Sequence, residues 1–72
     1  MNGINPNTRL KIGTIVIYIS QDPNDLRNGD LAKVTEWTKT ASGELQYWIK
    51  FHNRNPSEER LVNPETITPI NP

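Results

Sequence analysis

Hydrophobic and polar positions alternate most clearly over residues 44–52, which read Glu-Leu-Gln-Tyr-Trp-Ile-Lys-Phe-His. Alternation with a period of two is typical of a strand that is buried on one face. The apolar face would hold Leu45, Tyr47, Ile49 and Phe51, and the opposite face Gln46, Trp48, Lys50 and His52. Residues 31–39 predict a second strand, and the intervening residues 40–43 end in a glycine that tolerates a positive φ. The two segments therefore predict a β-hairpin.

The run Ile15–Ile19 predicts a strand that precedes this hairpin. It consists of four β-branched residues and one tyrosine, which suit a pleated sheet better than a helix. Residues 20–30 lie between that strand and the hairpin, and their Asp-Pro and Asn-Gly dipeptides predict a long polar loop. No segment shows a helical period, so an all-β fold is expected.

The residues after the hairpin predict a polar loop over 53–60 and two more short strands. Leu61–Val62 forms the fourth strand, and residues 67–70 form the fifth. A single helical turn is expected between them, with Pro64 at its first position, where a missing N–H costs nothing. The domain boundaries that follow are an N-terminal arm over 1–9, the folded domain over 10–70 and a tail over 71–72.

A four-residue turn at 40–43 would set the register of the hairpin. It places Val34 opposite Ile49 on the buried face. On the other face it makes Trp37 and Trp48 diagonal neighbours. A slip of one residue would exchange the two faces, so this register is a specific prediction.

The outer face of the hairpin is the candidate partner-binding surface, because it combines aromatic and basic side chains. Clustered exposed aromatic residues mark contact surfaces, and tryptophan is enriched among residues that dominate binding. In so small a domain, a tryptophan can also pack under a loop or a terminal arm, and the sequence leaves both interpretations open. The candidate partner-binding residues are Trp37, Trp48, Lys33, Lys50, His52, Arg54 and Arg60.

Composition restricts the chemistry that this chain can perform. Its 72 residues allow one small domain, and it has no cysteine and a single histidine. A disulfide framework, a cysteine-ligated metal and an all-histidine metal site are therefore excluded, and no cofactor or metal is expected. Eight basic residues balance eight acidic ones, which disfavours nucleic-acid binding by bulk electrostatics.

Catalytic patterns are also missing from the sequence. His52 is expected at a solvated strand end near Glu58 and Glu59, without a pocket that would make it a catalytic group. The acidic loop that begins at Asp22 lacks the glycine and glutamate spacing of a calcium-binding loop. We therefore expect a protein that is not an enzyme.

The location of the chain can be anticipated from its apolar segments. The longest of them spans five residues, far short of a membrane helix, so no membrane insertion is expected. The N-terminal residues lack the pattern of a signal peptide. A cytoplasmic location is the resulting expectation.

The order of these elements resembles a known small β fold. The resemblance is carried by Leu10-x-x-Gly13-x-x-Val16, by Gly29-x-x-Ala32-x-Val34, by Ile49-x-Phe51 and by Pro64-Glu65-x-Ile67. These elements are similar to those of the SH3-like barrel, in particular to KOW-type domains, photosystem I subunit IV and the variable chain of ferredoxin–thioredoxin reductase. The resemblance implies a five-stranded SH3-like barrel with a single 3-10 turn before the last strand.

The same resemblance implies two functions for such a domain. The photosynthetic relatives act as accessory subunits near a ferredoxin-docking surface and do no redox chemistry themselves, which implies a protein partner within a larger complex. KOW-type domains bind RNA or proteins, so nucleic-acid binding is the alternative, with bases stacked on tryptophan beside lysine. An enzyme whose site forms only at an oligomer axis has no specific support in these residues.

Overall fold

Five antiparallel strands form one sheet in the computed structural model, which describes residues 9–53 and 56–70. The sheet has the strand order β4-β3-β2-β1-β5. The elements are β1 (Ile15–Tyr18), β2 (Leu31–Lys39), β3 (Leu45–Phe51), β4 (Glu58–Val62), a 3-10 turn (Pro64–Thr66) and β5 (Ile67–Pro69). The all-β class, the five strands and the turn before the last strand are thereby confirmed. Residues 1–8 of the predicted arm, Arg54 and the tail 71–72 lie outside the described residues.

The sheet is not closed into a barrel, which is a departure from the five-stranded barrel that the resemblance implies. Strands β4 and β5 form its two edges, and no strand pairing joins them within the described residues. The two edge strands carry features that disfavour further strand pairing. Glu58 and Arg60 of β4 point their charged side chains toward the loop between β1 and β2, and Pro69 of β5 has no N–H for a further ladder.

One hydrophobic core lies on the inner face of the sheet. Tyr18 and Phe51 meet edge to face there, with their ring centres 5.5 Å apart. The hydroxyl of buried Tyr47 accepts a hydrogen bond of 2.9 Å from the backbone N–H of Leu10, which satisfies its polar end. The buried residues are Val16, Tyr18, Ala32, Val34, Tyr47, Ile49, Phe51, Val62 and Ile67. The predicted inner face of the third strand is confirmed at its last three positions.

Strand β4 begins three residues earlier than its sequence predicts. Residues 58–60 are polar and fall in the predicted loop over 53–60, yet they pair with β3 from Phe51 opposite Glu58 onward. Charged residues can occupy the inner face of an edge strand when their charges are compensated there. The partners of Glu58 and Arg60 lie in a loop that is distant in sequence, so a local pattern cannot reveal them.

The hairpin turn is one residue longer than predicted. Lys39 pairs with Leu45, so the connection is residues 40–44. The backbone N–H of Thr40 donates to the carbonyl of Glu44 at 2.8 Å, and that of Gly43 donates back to Thr40 at 2.9 Å. Gly43 has a φ of 88°, the left-handed conformation that glycine adopts without steric cost.

A β-bulge at Thr35 absorbs the extra residue. The register shifts between Val34 and Glu36, so the predicted pair of Val34 with Ile49 is confirmed on one side of the bulge. On the other side, the pairs are shifted by one residue, so that Trp48 lies opposite Glu36. The register that was predicted for the turn half of the hairpin was therefore wrong.

Candidate interaction surface

The bulge places the two tryptophans on opposite faces of the sheet. An extra residue in one strand exchanges the faces of all residues beyond it, so Trp37 pairs with buried Tyr47 and turns inward. Trp37 is half-buried against the core, and the guanidinium of Arg9 lies 4.4 Å from the centre of its ring. Trp48 stays on the outer face with 39% of its surface exposed. The predicted pair of neighbouring tryptophans does not form.

The outer face of strands β2, β3 and β4 presents two rows of side chains that cross the strands. Trp48 is the centre of the first row and lies between Glu36 on β2 and Leu61 on β4. Leu61 is 40% exposed, so the two neighbours form an apolar patch that water reaches. We call the two rows together the outer meander face: Glu36, Trp48 and Leu61, and beside them Lys33, Lys50 and Glu59.

Charges of both signs are balanced on this face. The structure brings together Lys33 and Lys50, as predicted, because they are directly opposite in the β2–β3 register. It adds Glu36, through the bulge, and Glu59, through the early start of β4, and neither was foreseen. No ion pair joins any of these four side chains to another residue in the described ranges.

The other predicted contact residues do not lie together on this face. His52 is exposed in the turn that follows β3, beyond the last paired residues. Arg60 opposes buried Ile49 and therefore points to the inner side of the sheet. Arg54 lies outside the described residues.

Arg60 belongs to a chain of ion pairs that we call the clasp: Arg27, Glu58, Arg60 and Asp25. Its guanidinium donates to Asp25 Oδ2 at 2.9 Å and to Glu58 Oε2 at 2.8 Å. Arg27 donates to the other oxygen of the Glu58 carboxylate, through Nε at 3.0 Å and through Nη2. The clasp thus ties the loop between β1 and β2 to the edge strand β4.

Aromatic rings support the clasp from the core side. The guanidinium carbon of Arg60 lies 5.4 Å from the ring centre of Tyr18 and 5.7 Å from that of Phe51. The Tyr18 hydroxyl accepts from Arg60 at 3.2 Å and donates to Asp25 at 3.1 Å. The charge of Arg60 is therefore compensated by Asp25 and Glu58 on the inner side of the sheet, away from the outer meander face.

Both carboxylates of the clasp are shifted toward their ionised forms. The pKa of Asp25 is lowered, first by the backbone N–H of Arg27 and further by the Tyr18 hydroxyl and the charge of Arg60. Hydrogen bonds from the side chains of Arg27 and Arg60 lower the pKa of Glu58. Each group thus binds its proton less tightly in the folded chain than in the unfolded chain.

We expect the clasp to make the domain sensitive to acid. Because folding lowers both pKa values, the stabilisation is fully present when the pH is above the unfolded pKa values, which lie near 4. It is lost as the pH falls through the lower pKa values of the folded chain. The melting temperature should change little between pH 7 and pH 5 on this account and should decline at lower pH. Thermal unfolding measured from pH 7 to pH 2 checks this.

Glu58→Gln should flatten that acid decline, since it removes one of the two shifted groups. The matched control is Glu65→Gln, which changes an exposed carboxylate of the 3-10 turn outside the clasp and should leave the decline intact. An equal decline in the wild type and in Glu58→Gln would show that the clasp does not set the pH dependence.

Both edges of the sheet disfavour the addition of a further strand. Inward-pointing charges on an edge strand, such as Glu58 and Arg60, and proline on an edge, such as Pro69, are two of the ways in which proteins prevent edge pairing. A partner is therefore better accommodated on the face of the sheet than along its edge.

Two features that would indicate other functions are absent from the described residues. No group of three or more histidine, aspartate or glutamate side chains is arranged to hold a metal ion within 9–53 and 56–70. In the same ranges, no helix has the length and apolar character needed to cross a membrane.

Comparison of the chain with protein-family models, with curated proteins and with solved structures found no match. The outer meander face is therefore interpreted from its own residues.

Proposed function

We propose that this chain is a small, non-catalytic protein-interaction module, an accessory subunit that binds a protein partner through the outer meander face. The observation that carries the proposal is the direct pairing of Trp48 with Leu61, both about 40% exposed on the sheet surface. Large apolar side chains that stay accessible to water gain free energy when a partner covers them. Tryptophan in particular is enriched among residues that dominate binding energies.

The charges around that patch favour a protein over a nucleic acid. Lys33 and Lys50 stand opposite each other beside Trp48, which is the observation that supports the alternative of nucleic-acid binding. Glu36 and Glu59 lie in the same two rows and would repel a phosphate backbone. A protein surface carrying both signs of charge is the better complement.

The similarity to SH3-like barrels remains a prediction under this proposal. The strand order and the 3-10 turn before β5 support it, whereas the open sheet departs from a closed barrel. A role near a ferredoxin-docking surface would require a basic surface, and the balanced outer meander face gives it little support.

Trp48→Ala is expected to abolish capture of the partner while the fold is retained. Trp48 contributes to the outer patch and not to the core, so its loss should cost about 1 kcal/mol or less of stability. The measurement is affinity capture from the cells of origin with the tagged chain, followed by quantitative mass spectrometry of wild type and variant.

A matched control is Thr38→Ala, which changes an outer-side position of β2 next to the patch but removes no large apolar surface. A protein retained by the wild type and by Thr38→Ala but lost with Trp48→Ala supports the proposal. An identical set of captured proteins for all three chains would contradict it. Binding of single-stranded RNA that weakens steeply with salt would instead support the alternative.

A further inference from the structure

We propose that the outer meander face binds a second copy of this chain to form a dimer with two-fold symmetry. The inference rests on the proposed function and identifies the partner for the same face. Its basis is the order of charges in the two rows, which makes the face complementary to itself. In a dimer with two-fold symmetry, both copies use the same surface, so that surface must be complementary to its own rotated copy.

The geometry of the two rows defines one arrangement. The two outer faces lie against each other, and the two-fold axis lies between them. It runs perpendicular to the strands and passes midway between the two rows. The row that contains Trp48 in one copy then lies over the row that contains Lys50 in the other copy. Lys33 and Glu36 lie on the same strand, one in each row, so Lys33 faces Glu36 of the second copy. Each such contact occurs twice, because the axis relates the two copies.

The same axis pairs the centres of the two rows. Lys50 and Trp48 both lie on β3, so each lysine faces the indole ring of the other copy, a cation–π arrangement. At the rim, Glu59 faces Leu61 of the second copy on the edge strand β4, and its carboxylate stays hydrated at the border of the interface. A two-fold axis parallel to the strands and centred on β3 would instead place Lys50 opposite Lys50 of the second copy, where the two ammonium groups repel each other. The charges therefore favour the first arrangement.

Three further observations agree with self-association. Within 9–53 and 56–70, the four charged side chains of the face form no ion pairs with one another or with other residues. The formal net charge of the chain is zero, so two copies do not repel each other at long range. Both edges disfavour strand addition, which leaves face-to-face packing as the route to association.

The size of the face predicts a weak dimer. Six side chains on each copy cover less than the roughly 800 Å² per partner of a standard interface. We therefore expect a dissociation constant on the order of 10–100 µM. Such a dimer forms as the protein concentration rises and dissociates as it falls, so the copies that occupy the face exchange readily.

Sedimentation velocity on the purified chain, from about 1 µM to about 1 mM, tests the proposal. The sedimentation coefficient of the wild type should rise with concentration. Lys33→Glu alone and Glu36→Lys alone should each weaken association at least about tenfold, since each creates like-charged contacts twice in the dimer.

An equimolar mixture of these two variants should regain dimerisation. The carboxylate introduced at position 33 of one chain meets the ammonium introduced at position 36 of the other, and the native Glu36 and Lys33 meet at the second contact. Restoration by mixing excludes a general loss of fold or solubility, because a second defective chain cannot repair such a loss.

The control variants are Lys39→Glu and Glu65→Lys, which make the same charge changes at exposed positions outside the face. They should dimerise like the wild type, and circular dichroism should show a folded chain throughout. A wild type that stays monomeric at every concentration, or a mixture no better than its components, overturns the dimer. Capture of a different protein that depends on Trp48 would then leave the proposed function standing.

Discussion

Phe51→Ala is expected to unfold most of the protein at room temperature. Phe51 is fully buried, packs edge to face on Tyr18 and supports the guanidinium of Arg60. Truncation of a buried phenylalanine costs about 3–5 kcal/mol through lost burial and the cavity left behind. A domain of this size has a net stability of roughly 3–5 kcal/mol, so a single cavity can remove all of it.

The measurement is urea unfolding followed by tryptophan fluorescence, compared with Phe51→Leu as the matched control. Leucine fills most of the volume, so that variant should remain folded with a reduced midpoint. If Phe51→Ala unfolds at the same urea concentration as the wild type, the residue does not lie in the core.

Trp37→Ala is the second large expected effect, with a loss of about 2–3 kcal/mol. Trp37 is half-buried against the core and carries the guanidinium of Arg9 on its ring. Its removal exposes the core below and releases that cation–π contact, which itself contributes about 0.5–1 kcal/mol. The free energy of unfolding from urea titrations tests the expectation.

Trp48→Ala is the matched control for this experiment, since it removes the same side chain from the opposite face. Its stability should stay within about 1 kcal/mol of the wild type. Equal losses for the two variants would mean that both tryptophans serve the core, and a larger loss for Trp48→Ala would reverse the assignment of faces. The same pair of variants thus separates residues needed for stability from residues available for binding.

Sequence patterns predicted most of the fold because they act locally. The alternation over Tyr47, Ile49 and Phe51 specifies which face is buried, and Gly43 marks the turn between the strands. The first three residues of β4 were not predicted as a strand, because the charged side chains of Glu58 and Arg60 are typical of a solvated loop. Their partners are known only from the folded structure. Those partners come from the loop between β1 and β2, at a sequence separation that no local pattern encodes.

The candidate site was predictable only in part. Lys33, Lys50 and Trp48 were correctly placed on one surface, because parity along each strand is a local property. Trp37 was predicted on this surface, but one bulged residue places Glu36 there instead. The face of each residue was assigned by counting along the strand from the turn, and a difference of one residue in that count reverses the assignment. Glu59 joined the surface because β4 extends further than its composition suggests.

The amino-acid sequence by itself determined an all-β chain of five strands with a small core, a neutral charge and no catalytic or metal-binding pattern. These properties depend on composition and on side-chain alternation within single strands. Only the tertiary structure decided that the sheet stays open, that Arg60 belongs to a clasp and that Trp48 faces water while Trp37 does not. Each of these depends on the register between strands and on contacts between distant segments, which form only when the chain is folded.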